Sequence, residues 1–353
     1  MKTNYSTFRK KELNKTALIT GITGQDGAYL AMFLLNKNYR VIGCYRRSST
    51  VNFWRLLELE IFEESNLVLV DLDITDPMNV YSVVRKYRPN EIYNLAAQSF
   101  VASSFENPVV TTNINSLGPL YFLEAIKLID KNIRFYQAST SEMYGKIQNP
   151  YQDENTPFYP RSPYAASKLY AHWITINYRE SYGIFAACGI LFNHESPLRG
   201  EEFVTKKITL AVAKIKHGLQ KTLYLGNLNA RRDWGYAKDY VQGMWQILQA
   251  EKPDNYVLAT GKNETIRNFA VLAFRTAGIE IEFEGEKENE IGIDIKTGNP
   301  VIRIDKKHYR PAEVDTLLGN PKKANDELNW KATTSLEKLA EIMVEYDLQA
   351  IGN

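Results

Sequence analysis

Tyr164 and Lys168, four residues apart, are the side chains whose types and spacing first suggest chemistry. Residues at i and i+4 of a helix share one face. Lys168 would therefore hold an ammonium beside the Tyr164 phenol, and an adjacent cation lowers a tyrosine pKa from its usual value of about 10. Such a phenolate takes the proton of a hydroxyl while hydride leaves the same carbon. Thr140, at the end of the apolar run RFYQAST, supplies a hydroxyl to bond the reacting oxygen. Two residues on, in ASTSEMYG, stands Glu142. Plain hydride transfer has no need of that carboxylate, but a dehydration does. Once C4 of a sugar is a ketone, the C5 hydrogen is acidic, a carboxylate removes it, and the C6 hydroxyl leaves. A Tyr/Lys pair also recurs by chance on surfaces, and a glutamate after a strand also serves as a plain loop residue.

The hydride needs an acceptor, and the start of the chain offers a place for one. Gly21, Gly24 and Gly27 follow the apolar run TALIT directly, with Thr23, Gln25 and Asp26 between them. Glycines there permit a tight turn, close approach of backbone to a pyrophosphate, and close helix packing, while the helix N-terminus favours anions. The GxxGxxG spacing resembles short-chain dehydrogenase/reductase proteins. NAD binders place Asp or Glu at the end of the second strand to bond the ribose 2′-OH. Here that strand ends in Tyr45-Arg46-Arg47-Ser48-Ser49. Two guanidiniums and two hydroxyls suit a 2′-phosphate, so NADP is expected; the plainer alternative is a solvated basic turn. Asp71 and Leu72 would flank the adenine, and Leu95, Ala96, Ala97, Gln98 and Ser99 would end the fourth strand at the crevice.

Short apolar strands alternating with amphipathic helices must position these groups. TALIT, RVIGCY, LVLVDLDI, EIYNLAA and RFYQAST read as strands, PMNVYSVVRKY and GPLYFLEAIKL as helices. That alternation predicts an α/β fold, a Rossmann-type doubly wound parallel sheet covered on both faces. From Asn193 the texture changes: NHESPLRGEEF reads as a polar loop, TKKITLAVAKIKHG as a helix, and YVLATG as a late strand returning to the first lobe. The stretch from about Glu284 to Tyr309 has few apolar residues and reads as a surface excursion; SLEKLAEIMVEYDLQA reads as an amphipathic helix. The expected division is a nucleotide-binding domain over 14–192 plus 222–262 and a smaller, discontinuous α/β substrate lobe over 193–221 plus 263–350. Residues 1–13 form an extension with no assigned role.

Composition removes other classes. The chain has 353 residues, enough for two lobes, and a formal charge of +2 that lacks the basic surplus of a nucleic-acid binder. Four scattered histidines and two cysteines offer no metal-ligand spacing and no disulfide framework, so no metal is expected. No stretch approaches the roughly 18 apolar residues of a membrane helix. The polar, basic first residues do not read as a secretory signal, and free thiols fit a cytoplasmic protein.

From Thr16 to about Asp315 the chain resembles the GDP-mannose 4,6-dehydratase family of extended short-chain dehydrogenase/reductases. The resemblance rests on ALITGITGQDGAYL, YNLAAQSFVASSF, FYQASTSEMYG, QDENTPFYPRSPYAASKLYAHW, NYRESYG, GILFNHESPLRGEEFVTKKI, LGNLNARRDWGYAKDYV and RPAEVD. It implies that Asn193, Val204, Lys207, Arg232, Arg310 and Glu313, with Ser99, Thr140 and Glu142, line a GDP-sugar site. Arg232 and Arg310 have the fork to clamp a diphosphate, and Glu313 the acceptors for guanine N1–H and N2–H. His194 and Arg199 resemble residues near the nicotinamide and a neighbouring subunit's cofactor. The Arg46–Ser49 loop resembles one that crosses an interface, which implies a homotetramer, or a dimer. The chain departs from many relatives at Leu198, where they read SPRRG, and at Val109-Val110, where they carry a tyrosine; VNFWRLLELE resembles one subgroup only. Three alternatives stay open: a sugar-nucleotide epimerase or reductase, a redox-sensing NADP binder, and a dehydratase of GDP-D-glycero-manno-heptose.

Overall fold

The computed structural model describes residues 15–50, 52–305, 307 and 316–352. In chain order its strands are β1 (Thr16–Thr20), β2 (Arg40–Tyr45), β3 (Leu67–Asp71), β4 (Glu91–Asn94), β5 (Arg134–Thr140), β6 (Ala186–Leu191), β7 (Asn193–Glu195), β8 (Leu223–Leu225), β9 (Arg231–Arg232), β10 (Trp234–Tyr236), β11 (Asn255–Leu258), β12 (Glu264–Thr265), β13 (Ile281–Glu284), β14 (Ile291–Asp294) and β15 (Pro300–Ile304). The α-helices are α1 (Gln25–Asn36), α2 (Trp54–Glu58), α3 (Pro77–Tyr87), α4 (Val101–Glu106), α5 (Pro108–Thr112), α6 (Gly118–Ile129), α7 (Pro163–Tyr182), α8 (Val204–Lys216), α9 (Ala237–Gln249), α10 (Ile266–Thr276), α11 (Lys322–Leu328) and α12 (Leu336–Gly352).

Seven strands form the central sheet in the order β11-β6-β5-β4-β1-β2-β3, with every pairing parallel. The order reverses direction beside β1, leaving a crevice between the ends of β1 and β4, where doubly wound sheets bind ligands. The inner strands are short apolar runs buried on both faces, as parallel strands are, while the edge strand β3 is only half-buried. Local signals end the helices cleanly. Asp76 accepts from the N–H groups of Met78 and Asn79 at 2.9 and 3.2 Å, with Pro77 behind it, to start α3. Ser162 caps α7 by accepting from Ala165 N at 3.0 Å, and Gly183, at φ +67°, ends it.

The second lobe differs from the expectation at three places. The stretch from Glu284 to Tyr309 is not a mere surface excursion: β13, β14, β15 and β8 form a four-stranded sheet. Val301 and Ile302 are buried in its core, with Phe283 and Ile304 packed against it. Charged residues on the outer face and the irregularity between Gly292 and Ile293 hide the alternation. Nor is NHESPLRGEEF a solvated loop throughout. Its residues His194 to Leu198 are buried, and β7 pairs in parallel with β10. Inner polar groups of this stretch find partners: Thr205 Oγ1 donates to Glu195 Oε2 at 2.6 Å and Ser196 Oγ to Gln25 Oε1 at 2.6 Å. Thirdly, β8, placed with the nucleotide domain by the expected division, hydrogen-bonds to β15 in the smaller sheet. Ala324 and Trp330 lie within 263–350 yet join the core under α1 and α9.

Candidate active site

The turn between β1 and α1 shows why its glycines are where they are. Gly21 has φ +71°, and a Cβ there would come within 3.0 Å of Ala96 N and Cα. A Cβ on Gly27 would be driven into the Gly21 carbonyl and Ile22 Cα. Gly24 precedes α1 without any side-chain cap, so the first N–H groups of that 12-residue helix are left for a ligand. Thr20 Oγ1 accepts from Leu95 N and Ala96 N, both at 3.0 Å, and fixes the end of β4 beside the turn.

The cleft above this turn brings together Gly21, Thr23, Gly24, Gln25, Asp26 and Gly27 with Arg46 and Leu72. Leu95, Ala97, Gln98, Ser99 and Arg199 complete its walls. Arg47, Ser48 and Asp71 are exposed and do not line it; Asp71 Oδ1 accepts from Arg47 N at 3.3 Å. The donors present fit NADP: the uncapped N-terminus of α1 lines the cleft, and Arg46 lines it just beyond the end of β2, with Leu72 and Asp73.

Thr140, Glu142, Tyr164, Lys168 and His194 line an adjoining pocket, with Asp26, Ala97, Ser99 and Arg199 shared between the two. Thr140 ends β5, its Oγ1 accepting from Glu142 N at 3.3 Å. Tyr164 and Lys168 project from the first turns of α7 and are both buried. Lys168 Nζ donates to Ala138 O at 2.9 Å, and burial draws its pKa down to about 8. Burial pushes the Tyr164 phenol up to about 12, opposed by a hydrogen bond with Thr140 and reinforced by the charge of Glu142. The expected lowering by Lys168 does not appear: burial dominates, and the cation that opposes it is Arg199.

Two buried polar residues behind this pocket had no sequence signal. Asn115, in an i→i+5 stretch over Asn113–Leu117, accepts from Gln98 N at 2.9 Å and donates to Ser167 Oγ at 3.1 Å. It ties the wall of the nucleotide cleft to α7. Ser139 Oγ lies 3.0 Å from His172 Nδ1, and burial brings that histidine down to about 4. His194 is the opposite case. Its Nε2 lies 2.8 Å from Asp26 Oδ2 and its Nδ1 2.7 Å from Phe192 O. Both partners accept, an arrangement that favours the doubly protonated ring. Burial opposes that charge, but the Asp26 carboxylate outweighs it and raises the histidine pKa. The ring stacks on Tyr240 at 4.6 Å.

Asn193, Val204, Lys207 and Arg232 line a third pocket with Phe203 and Trp234. Asn193 also faces the Tyr164 pocket, and its buried Oδ1 has no hydrogen-bond partner among the described residues. Arg232 is buried and donates to Arg231 O at 2.9 Å, while burial lowers the pKa of Lys207 against the opposing pull of Asp305. Arg199 stacks over Phe203 at 3.5 Å, its Nε 3.1 Å from Glu195 Oε2. Arg310 and Glu313 lie outside the described residues. Among the described residues there is no group of three or more His, Cys, Asp or Glu able to hold a metal. No described helix is long and apolar enough to cross a membrane, and Cys44 and Cys188 are buried and free.

Comparison with known proteins places this geometry. Residues 18–343 match the model of a family described as GDP-mannose 4,6 dehydratase. A GDP-mannose 4,6-dehydratase of Sinorhizobium fredii is 53% identical over 339 residues, covering 95% of this chain and 97% of that relative. One of Yersinia enterocolitica is 50% identical over 352 residues, covering 95% and 94%. Among solved structures, a dTDP-glucose 4,6-dehydratase of Streptomyces venezuelae with NAD bound superposes with a TM-score of 0.80 at 23% identity, covering 96% of this chain and 98% of that one. That last likeness speaks to the fold alone.

Proposed function

The chain belongs to the GDP-mannose 4,6-dehydratase family, and from that premise we propose that it removes water from GDP-mannose to give GDP-4-keto-6-deoxy-mannose. The observation that carries this reading is the meeting of Thr140, Glu142, Tyr164 and Lys168 in one pocket between the two clefts. A hydride-transfer pair and a second carboxylate face the same space. The relatives named above act on GDP-mannose by name, which favours that substrate over the manno-heptose.

When bound in the first cleft, NADP would supply the hydride acceptor for C4 and the hydride donor for C6. Tyr164 accepts the C4 hydroxyl proton, with Thr140 bonding the same oxygen. The Lys168 ammonium stabilises the phenolate and bonds the cofactor ribose. Glu142 then removes the C5 proton, passes it to the departing C6 hydroxyl, and water leaves. The proton stored on Tyr164 returns at C5 as hydride reaches C6, so the enzyme ends as it began. Arg46, Arg47 and Ser48 serve the 2′-phosphate, and Asp71 and Leu72 the adenine. Asn193, whose Oδ1 has no partner among the described residues, Val204, Lys207 and Arg232 hold the GDP-sugar, joined by Arg310 and Glu313. The exposed Arg46–Ser49 turn is placed at a contact between subunits of a homotetramer, or of a dimer, and the protein in the cytoplasm. The test is incubation with GDP-mannose and, separately, GDP-D-glycero-manno-heptose. The account expects 4-keto-6-deoxy product from GDP-mannose at the higher rate, without net NADPH; a product that is only a C4 epimer would reject it.

A further inference from the structure

From the stretch VNFWRLLELE, which supplies no residue to the clefts, Arg55 bonds two segments that do. Arg55 lies in α2, a five-residue helix anchored by Leu56, which is fully buried. Its Nε donates to Leu198 O at 2.7 Å and its Nη1 to Thr23 O at 3.0 Å. The guanidinium rests against the Trp54 ring at 4.5 Å, which limits its choice of rotamer. Thr23 belongs to the glycine turn under the nucleotide cleft. Leu198 belongs to the buried loop that begins with Asn193 and His194 and ends at Arg199. One planar group thus bonds a backbone carbonyl from each wall. A guanidinium's donors stand at fixed separations, so the two carbonyls are held at a fixed distance.

The rest of the contact between these segments lies at the other end of the turn. Asp26 bonds His194 at 2.8 Å, Gln25 Nε2 donates to His194 O at 3.1 Å, and Ser196 Oγ donates to Gln25 Oε1 at 2.6 Å. These side chains spring from α1, after the turn; Arg55 grips the turn itself. Lys206 Nζ holds the neighbouring Pro197 O at 2.8 Å and Asp347 Oδ1 at 2.5 Å, so the loop that Arg55 bonds is also fixed to α8 and α12. The charged groups around the guanidinium are Glu202, Arg199 and Asp26. Both carbonyls keep their bonds only if turn and loop move together.

We propose that Arg55 is a positioning residue that couples the nucleotide turn to the loop of Asn193, His194 and Arg199, so that filling one cleft tightens binding in the other. This rests on reading the clefts as sites for NADP and a GDP-sugar. Coupling between sites typically spans about 5- to 150-fold in affinity and is reciprocal.

Calorimetry on cofactor-stripped protein tests it, using GDP as the probe with and without saturating NADP. In wild type, NADP should tighten GDP binding by about fivefold or more. Arg55→Met should cut that ratio at least about threefold while each separate affinity stays within a few-fold, since Arg55 lines neither cleft. Arg55→Lys keeps the charge but reaches one carbonyl at a time, so its ratio should also fall; it carries the test if the methionine variant does not fold. A wild-type ratio of one, or an unchanged ratio in the folded variant, overturns the proposal. Failure of wild type to bind GDP or NADP at all would instead strike the reading of the clefts.

Discussion

The two clefts that meet at Tyr164 are built in opposite ways. The floor of the nucleotide cleft is a local object, one strand, one turn and one helix shaped mainly by backbone and by missing Cβ atoms, although its walls also come from the ends of β2, β3 and β4 and from Arg199. The pocket proposed for the sugar draws on β7, β9, α8 and the segment near Trp234, and its loop is held by charged side chains from distant parts of the chain. The first should break when atoms are added to it, and the second when polar partners are taken away. Between them sit Tyr164 and Lys168, buried so deeply that their titration departs from that of the free side chains.

Lys168 should show the largest effect, in two directions. Lys168→Met should lower product formation by about 10²- to 10⁴-fold, the usual scale of assisted proton transfer. The same change should stabilise the unliganded protein. Burial takes this lysine down to about 8 from an ordinary 10.5, so its protonated form is penalised in the folded state and not in the unfolded chain. That cost is complete below about pH 8, shrinks as pH rises, and is gone above about 10.5. The gain should reach up to about 3 kcal/mol at pH 7 and vanish near pH 11. Denaturant unfolding of both proteins at the two pH values checks this; an equal difference at both would contradict it.

Gly27→Ala tests the backbone-built cleft. The added methyl is driven into the Gly21 carbonyl, which cannot move without displacing the turn. A loss of about 1–3 kcal/mol is expected, with NADP no longer retained through purification. Unfolding and assay of released nucleotide would read both, and full NADP content would show that the turn tolerates the atom. Asn193→Ala makes the opposite cut in the sugar pocket. One hydrogen bond there is worth about 0.5–1.5 kcal/mol, so KM for GDP-mannose should rise by up to about tenfold with NADP affinity unchanged. Steady-state kinetics beside NADP titration separates the two; a fall in NADP affinity alone would move Asn193 to the other cleft.

The same contrast explains what the sequence made legible. The βαβ start, the strand RFYQAST and the helix behind Tyr164 lie where their apolar periods place them, because each is stabilised by its own neighbours in the chain. β13–β15 were illegible: their inward residues are few, separated by Glu, Lys and Asp on the solvent face, and broken at Gly292. The Asn193–Leu198 loop looked solvent-exposed because Asn, His, Glu and Ser are polar. It is buried because each of His194, Glu195 and Ser196 finds a partner from elsewhere. Arg55 carried no signal either, since a five-residue helix has no period to read and its two carbonyl partners are invisible in sequence. The Tyr164 titration was misjudged for a related reason: spacing shows a cation nearby but not how much water the fold removes.

The central claim is that Glu142 is the base that turns a hydride-transfer site into a dehydratase. Glu142→Gln keeps the shape and removes the basic carboxylate. Substrate deuterated at C5 reads the step directly. Wild type should lose that deuterium to solvent while forming 4-keto-6-deoxy product. The glutamine variant should retain it, with turnover down by about 10²- to 10⁴-fold and oxidation at C4 better preserved, whereas Tyr164→Phe should suppress both steps. If Glu142→Gln forms product near the wild-type rate and still releases deuterium, Glu142 is not the base and another group must perform the elimination.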